Sequence, residues 1–245
     1  MIDPRLSVIE RRLSPIKRIL VFSSGKGGVG KSICSSVASL ILAREGKRIG
    51  LLDLDFHGAS THIFLGATLR FPEESHGLIP LSVCEGLQLM SIAAFTGERA
   101  VPLRGDGVSN ALIELLAVTI WGELDYLVVD MPPGIGDEVL DLIRFMSRSE
   151  IVVISTPSVV SVRVVERLLR MFLETEVKVR GIIENMCPQN RVSDLQTKLV
   201  EELGIDHLGA IPYYPDLEAA IGSPNKLLSS QFGSALAKIL TAMEK

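Results

Sequence analysis

The chain has 245 residues and a formal net charge of −4, and 47% of its residues are hydrophobic but only 5% aromatic. This composition is typical of a compact α/β protein, and the acidic balance counts against a general nucleic-acid binder. The three cysteines are odd in number and far apart, which excludes a disulfide framework. No apolar run approaches the roughly 20 residues of a membrane span, and the N-terminus lacks a signal-peptide apolar stretch, so we expect a cytoplasmic protein.

Strand and helix patterns alternate along most of the chain. Residues 1–17 are polar and basic and are predicted to be an N-terminal extension with one short helix. Strands are predicted at 18–22, 48–52, 87–92, 126–130, 151–155, 179–183 and 208–211, and helices at 33–44, 110–119, 138–146, 159–172 and 192–203. Such alternation predicts an α/β fold, a three-layer sandwich with a mostly parallel central sheet flanked by helices, formed by residues 18–245 as a single domain. The least regular segment, 56–80, is expected to be a surface insertion or a mobile loop.

The segment that follows the first predicted strand fits the phosphate-binding P-loop pattern G-x-x-x-x-G-K-[ST]. Gly25 and Gly30 bracket the loop, Lys31 is expected to reach the β- and γ-phosphates of ATP, and the Ser32 hydroxyl is expected to bind Mg²⁺. A helix pattern follows, so the phosphates would lie at a helix N-terminus, where free N–H groups favour an anion. The predicted nucleotide-binding residues of this segment are Gly25, Lys26, Gly27, Gly28, Val29, Gly30, Lys31, Ser32 and Ile33.

An additional lysine in the loop, Lys26, is not required by a plain P-loop. The run from Gly25 to Ser32 resembles the deviant Walker A loop of the ATPase group that contains MinD, ParA and the nitrogenase iron protein. The resemblance implies a homodimer in which Lys31 contacts the ATP of its own subunit and Lys26 that of the partner subunit. The alternative for Lys26 is a solvated surface lysine.

Acidic and amide side chains end three other predicted strands. Asp130 ends an apolar strand as a Walker B aspartate does, and is expected to bind Mg²⁺ or its water; the glycine-containing turn that follows is a candidate γ-phosphate switch. The resemblance implies that Asp55 positions the attacking water and Asp53 supports the metal site, although either could cap the next helix instead. It also implies that Asn185 binds the adenine edge, for which an amide offers both donor and acceptor, and that Pro212 packs beside the base.

Several longer segments narrow the resemblance to the Mrp/ApbC-type branch. They are Val101–Gly105, Trp121–Glu138, Ser155–Pro157, Gly181–Met186 and Leu208–Pro212. Proteins of this branch are homodimeric ATPases that carry or assemble iron–sulfur clusters, bound between subunits by a Cys-x-x-Cys soon after the Asn-Met. This chain keeps the first cysteine as Cys187 but has Asn190 at the second position. Two subunits would then supply two thiolates where a [4Fe–4S] cluster usually needs four.

We therefore expect a Mg·ATP-dependent dimeric switch whose cargo is an iron–sulfur cluster, a client or a scaffold protein. One alternative is a true cluster carrier that receives further ligands from a partner. Another is a MinD- or ParA-like positioning factor on a membrane or DNA. For the membrane version the tail offers an apolar stripe, but its polar face is hardly basic, which favours packing against the core. The stripe consists of Phe232, Leu236, Ile239, Leu240 and Met243.

Overall fold

The computed structural model describes residues 5–56, 58–96, 106–175, 177–188 and 192–244. The strands are β1 (Ile16–Ser23), β2 (Ile49–Asp53), β3 (Glu73–Glu74), β4 (Leu78–Ile79), β5 (Leu81–Cys84), β6 (Leu87–Ser91), β7 (Leu124–Asp130), β8 (Ser149–Ser155), β9 (Lys178–Cys187) and β10 (His207–Pro212). The helices are α1 (Arg5–Leu13), α2 (Lys31–Arg44), α3 (Thr61–Leu65), α4 (Ala93–Thr96), α5 (Asp106–Val118), α6 (Asp137–Phe145), α7 (Val159–Glu174), α8 (Asp194–Leu203), α9 (Pro224–Ser229) and α10 (Gln231–Met243), with a 3₁₀ helix at Pro215–Ala220.

Eight strands form one sheet in the order β10-β9-β8-β1-β7-β2-β6-β5. All neighbouring strands are parallel except β5 and β6, which form an antiparallel pair at one edge. The predicted α/β sandwich with a mostly parallel sheet is therefore confirmed, and each of the seven predicted strands lies in it. The sequence did not predict β5, whose side chains alternate between half-buried and exposed.

Helices cover both faces of the sheet, as the side chains of β1 show. Because successive side chains of a strand point to opposite faces, Ile19 and Val21 join one apolar core while Leu20 and Phe22 join the other. The first core receives α1, α5, α6, α7 and α8, and the second receives α2 and α10. Nearly continuous apolar sequence in the central strands follows from this burial on both faces.

Several predicted boundaries differ in the structure. The N-terminal helix α1 buries Ile9 and Leu13 in the first core, and β1 begins at Ile16, before the predicted residue 18. The segment expected to be irregular contains α3 and the small hairpin of β3 and β4. Strand β9 continues to Cys187, beyond the predicted end at residue 183, so Asn185 lies within a strand.

The tail helix α10 packs its apolar stripe against the second core. All five stripe residues are at most 7% exposed, so the stripe is not available to a lipid surface in this conformation. Within the described residues, no helix has the length and apolarity needed to cross a bilayer.

Candidate nucleotide site

Neighbouring parallel strands bring the predicted site residues to one edge of the sheet. The P-loop leaves the C-terminal end of β1, Asp130 ends β7 and Asp53 ends β2. In the sheet register, Asp130 lies opposite Phe22 on one side and Asp53 on the other. The crevice beyond the carboxyl ends of parallel strands is where open α/β sheets bind ligands.

The P-loop backbone forms an open anion cradle at the start of α2. Gly28 and Gly30 have φ of 76° and 85°, in the left-handed region that glycine adopts without a steric penalty. Gly30 caps α2, and no side chain in the described part of the chain accepts from the first-turn amides, which leaves them for an anion. A Cβ at Gly27 or Gly28 would meet nothing within 4 Å, whereas one at Gly25 would lie 2.7 Å from the Val164 side chain.

Lys31, Ser32 and Asp130 form one buried polar cluster. The Lys31 ammonium lies 2.8 Å from Asp130 Oδ1, with side chains 5% and 0% exposed, and the Ser32 hydroxyl donates to Asp130 Oδ2 at 2.6 Å. Lys31 also donates to Ser32 Oγ at 3.2 Å. The structure thus brings together the predicted phosphate-binding lysine and both predicted metal ligands.

Asp53 is fully buried and holds the loop that leads into α3. Its Oδ1 accepts from the Asp55 amide at 3.2 Å, and its Oδ2 accepts from the Thr61 amide and hydroxyl at 3.1 and 2.7 Å. Burial and the Asp130 carboxylate raise the pKa of Asp53 to about 6. Asp53 therefore accepts from the first amide of α3 and also adds negative charge beside Asp130, so the structure is consistent with either role considered for it.

Asp55 lies just beyond the end of β2 and is 8% exposed. Its Oδ1 accepts from the Gly58 amide at 3.0 Å, which places the carboxylate at the start of a turn. The glycine-containing turn after β7, the candidate γ-phosphate switch, contacts the start of the P-loop: the Gly134 amide donates to the Ser24 carbonyl at 2.9 Å.

The two loop lysines have different surroundings. Lys31 is buried in an ion pair, while Lys26 is half-buried, and within the described part of the chain its ammonium has no hydrogen bond or ion pair. The in-trans role predicted for Lys26 stays a prediction.

Asn185 is tied to the P-loop across 156 positions of sequence. Its Nδ2 donates to the Val29 carbonyl at 2.9 Å, and the side chain is 3% exposed. A Cβ at Gly30 would collide with this amide nitrogen. Asn185 thus supports the loop, and Pro212 lies at the end of the neighbouring strand β10. The contacts with adenine that were predicted for both residues stay predictions.

Cys187 lies at the end of β9 and is 2% exposed. Its thiol donates to the Glu184 carbonyl at 3.3 Å. Burial and the charge of Glu184 raise the pKa of Cys187 to about 12, so the thiol is protonated at neutral pH. Asn190, the predicted departure from the cluster motif, lies outside the described residues.

The sequence did not single out Ser35 or Glu184. The Ser35 hydroxyl lies 3.0 Å from Asp130 Oδ1, behind the P-loop. The buried Glu184 carboxylate accepts from the Ser193 amide and hydroxyl at 2.7 and 2.5 Å, which holds the N-terminus of α8. Serines at helical spacing on α2 were the available signal for Ser35. Glu184 lies in the segment Gly181–Met186 that carries the family resemblance, but no role was predicted for it.

The residues present fit Mg²⁺ and a nucleotide phosphate. A hydroxyl and a carboxylate 2.6 Å apart are the oxygen ligands that Mg²⁺ prefers, and the free amides of α2 suit a phosphate. Among the described residues, no three His, Cys, Asp or Glu side chains are grouped to hold a metal ion.

Solved structures similar to this one include a nucleotide-binding protein and a cell division ATPase. A nucleotide-binding protein from Archaeoglobus fulgidus, in complex with ADP and with Co found, has a TM-score of 0.77 at 29% identity and covers 94% of this chain and 95% of its own. The cell division ATPase MinD from Pyrococcus furiosus has a TM-score of 0.68 at 15% identity, over 93% of this chain and 98% of its own, and shares the fold.

Sequence relatives carry one recurring name. An iron–sulfur cluster carrier protein of Methanocaldococcus jannaschii is 37% identical over 218 residues, 83% of this chain and 75% of the relative. That of Escherichia coli strain K12 is 40% identical over 177 residues, 71% of this chain and 48% of the relative. A family model described as ParA, NUBPL iron-transfer P-loop NTPase, matches residues 15–245. The predicted resemblance is confirmed, and the chain belongs to this family of iron-transfer P-loop NTPases.

Proposed function

We propose that this protein binds Mg·ATP and hydrolyses it slowly, as a dimeric switch in iron–sulfur cluster delivery. The observation that carries the proposal is the buried cluster of Lys31, Ser32 and Asp130 beside the uncapped N-terminus of α2. It combines a cation, a hydroxyl and a carboxylate where an anion and Mg²⁺ would meet. Residues 18–245 act as one ATPase domain, with 1–17 as an extension.

In the proposed cycle Lys31 changes its partner. In the structure its ammonium neutralises Asp130 at 2.8 Å. With nucleotide bound, Lys31 would turn to the phosphates, and Asp130 and Ser32 would hold Mg²⁺, which would supply the positive charge beside the carboxylate. Neither charge is then left buried without a counter-charge, which would cost several kcal/mol. Asp55 orients the attacking water, since in-line phosphoryl transfer depends on a positioned nucleophile.

The dimer is proposed from Lys26. An ammonium that is half-buried and, among the described residues, without a partner can reach a phosphate of a facing subunit. Arrival of this charge in trans would couple hydrolysis to assembly, because preorganised positive charge stabilises the transition state.

The surroundings of Cys187 favour delivery of a cluster, to or together with another protein, over stable binding of a cluster by this protein alone. Metal ligation needs a thiolate, and the Cys187 thiol is buried with its pKa raised to about 12. The residue three positions later is Asn190, a poor ligand for iron that prefers sulfur. We therefore propose that Cys187 contributes to a cluster only when the end of β9 opens and a partner supplies further ligands.

Isothermal titration calorimetry of native and Lys31→Ala protein tests the nucleotide proposal. The variant should bind ATP roughly 10- to 100-fold more weakly, because a charge-assisted contact to phosphate is lost. Lys238→Ala, on the exposed face of α10, is the charge-matched control and should bind as the native protein does. No ATP binding by the native protein would refute the proposal.

A further inference from the structure

Ser35 lies on α2, one helical turn after Ser32, and is fully buried. Two acceptors lie at 3.0 Å from its hydroxyl oxygen, Asp130 Oδ1 and the Ser32 carbonyl oxygen. A serine hydroxyl carries one proton and so donates to one of them at a time.

The surroundings direct this proton to Asp130. The Ser32 carbonyl already accepts from the Ser36 hydroxyl at 2.7 Å, a closer donor than Ser35. The carboxylate is also the stronger acceptor, because hydrogen bonds to charged groups are roughly twice as strong as neutral ones. Ser35 therefore supplies Asp130 with a third side-chain donor, beside Lys31 and Ser32.

The three donors to Asp130 have different roles in the proposed nucleotide cycle. Lys31 turns to phosphate and Ser32 to Mg²⁺, so both give up their contacts to Asp130. Ser35 is 0% exposed and contacts Asp130 Oδ1 from the buried side, away from the nucleotide, so the proposed cycle does not require it to give up this contact. Residues that orient a metal ligand in this way commonly change metal affinity 10- to 100-fold when they are mutated.

We infer that Ser35 is a positioning residue that orients the Asp130 carboxylate for Mg²⁺ and sets metal affinity while leaving metal-free nucleotide affinity unchanged. The inference rests on the proposed function. Because Ser35 is expected to touch neither nucleotide nor metal, its substitution should change the affinity for Mg²⁺ alone.

The test compares Ser35→Ala with Ser36→Ala. Both remove a hydroxyl from the same turn of α2, but the Ser36 hydroxyl donates only to the Ser32 carbonyl in the described structure. ADP binding is measured by calorimetry in excess EDTA and then at increasing Mg²⁺, and thermal unfolding checks that each variant folds. Ser35→Cys, close in volume but with a weak S–H donor, is a second variant if the alanine variant does not fold.

Ser35→Ala should raise the Mg²⁺ concentration for half-maximal enhancement of ADP binding about tenfold, with EDTA affinity within twofold of native. Ser35→Cys should move in the same direction, and Ser36→Ala should match the native protein. Equal Mg²⁺ dependence of both alanine variants, or equal losses with and without Mg²⁺, would overturn the inference and leave the proposed function standing. Failure of the native protein to bind ADP at all would overturn both.

Discussion

The pH dependence of stability is expected to report the buried pair of Asp53 and Asp130. Burial and Asp130 raise the pKa of Asp53 from 3.8 to about 6 in the folded protein. Between these values the folded state binds more protons than the unfolded state, so stability falls as pH rises. A shift of about 2 units corresponds to roughly 3 kcal/mol, present below about pH 4 and lost above about pH 6.

The perturbation is Asp53→Asn, which removes the titrating group. Urea unfolding followed by circular dichroism, in EDTA between about pH 4 and pH 7, gives the free energy of unfolding of both proteins. Asparagine has one acceptor oxygen where aspartate has two, so the variant accepts hydrogen bonds from Thr61 less well and is less stable at every pH. The comparison therefore uses the slope of the free energy of unfolding against pH. The native protein should lose roughly 3 kcal/mol relative to the variant across this range.

Asp125→Asn is the matched control. Hydrogen bonds from the Arg48 amide and from Lys17 lower the pKa of Asp125 to about 2. Its stability contribution is therefore complete above the unfolded pKa of 3.8 and lost only as pH falls toward 2, below the window of the experiment. Parallel stability curves for native and Asp53→Asn protein would refute the claim that this buried carboxylate pair controls the slope.

Three further results are expected. Asp55→Asn should slow phosphate release tenfold or more, about 1.4 kcal/mol of barrier, with ATP binding nearly intact; mixing it with Lys26→Ala subunits should restore activity above either variant, because one site of the mixed dimer keeps both groups. No recovery, despite mixed dimers in native mass spectrometry, would place Lys26 in cis or outside the reaction. Gly30→Ala should lower the free energy of unfolding by roughly 2–3 kcal/mol in urea titrations, because φ of 85° is unfavourable for alanine and the Cβ collides with the amide that supports the loop. Gly27→Ala, in open space, should be near native, and equal effects of the two would contradict this account. The native protein reconstituted without oxygen should retain little [4Fe–4S] cluster by absorbance and iron analysis, and Asn190→Cys should retain more, because it rebuilds the paired-cysteine motif; four iron per native dimer would contradict the first expectation.

Local patterns in the sequence were sufficient to predict the P-loop and seven of the eight strands of the sheet. The motif from Gly25 to Ser32 is contiguous in sequence, so its glycines, lysine and hydroxyl lie close together whatever the rest of the fold is. Strands buried on both faces leave continuous apolar runs, which located the inner strands of the sheet, and the short run at 208–211 located the half-buried edge strand β10. Edge strand β5 was not predicted, because four residues whose side chains alternate between half-buried and exposed give a weak signal.

Contacts between distant segments were decided only by the tertiary structure. The donation from Asn185 to Val29 and the donations from Ser193 to the Glu184 carboxylate depend on strand order and register, which no short pattern records. The burial of Cys187 likewise follows from the extension of β9 beside β10.

The tail helix shows the same division. Its sequence establishes an amphipathic helix, because apolar residues recur at helical spacing from Phe232 to Met243. That periodicity is identical whether a protein core or a lipid surface covers the stripe, since the hydrophobic effect has no direction. In the structure α10 packs against α2 and β10, so the protein core covers the stripe. The sequence determines which faces must be covered, and the tertiary structure determines what covers them.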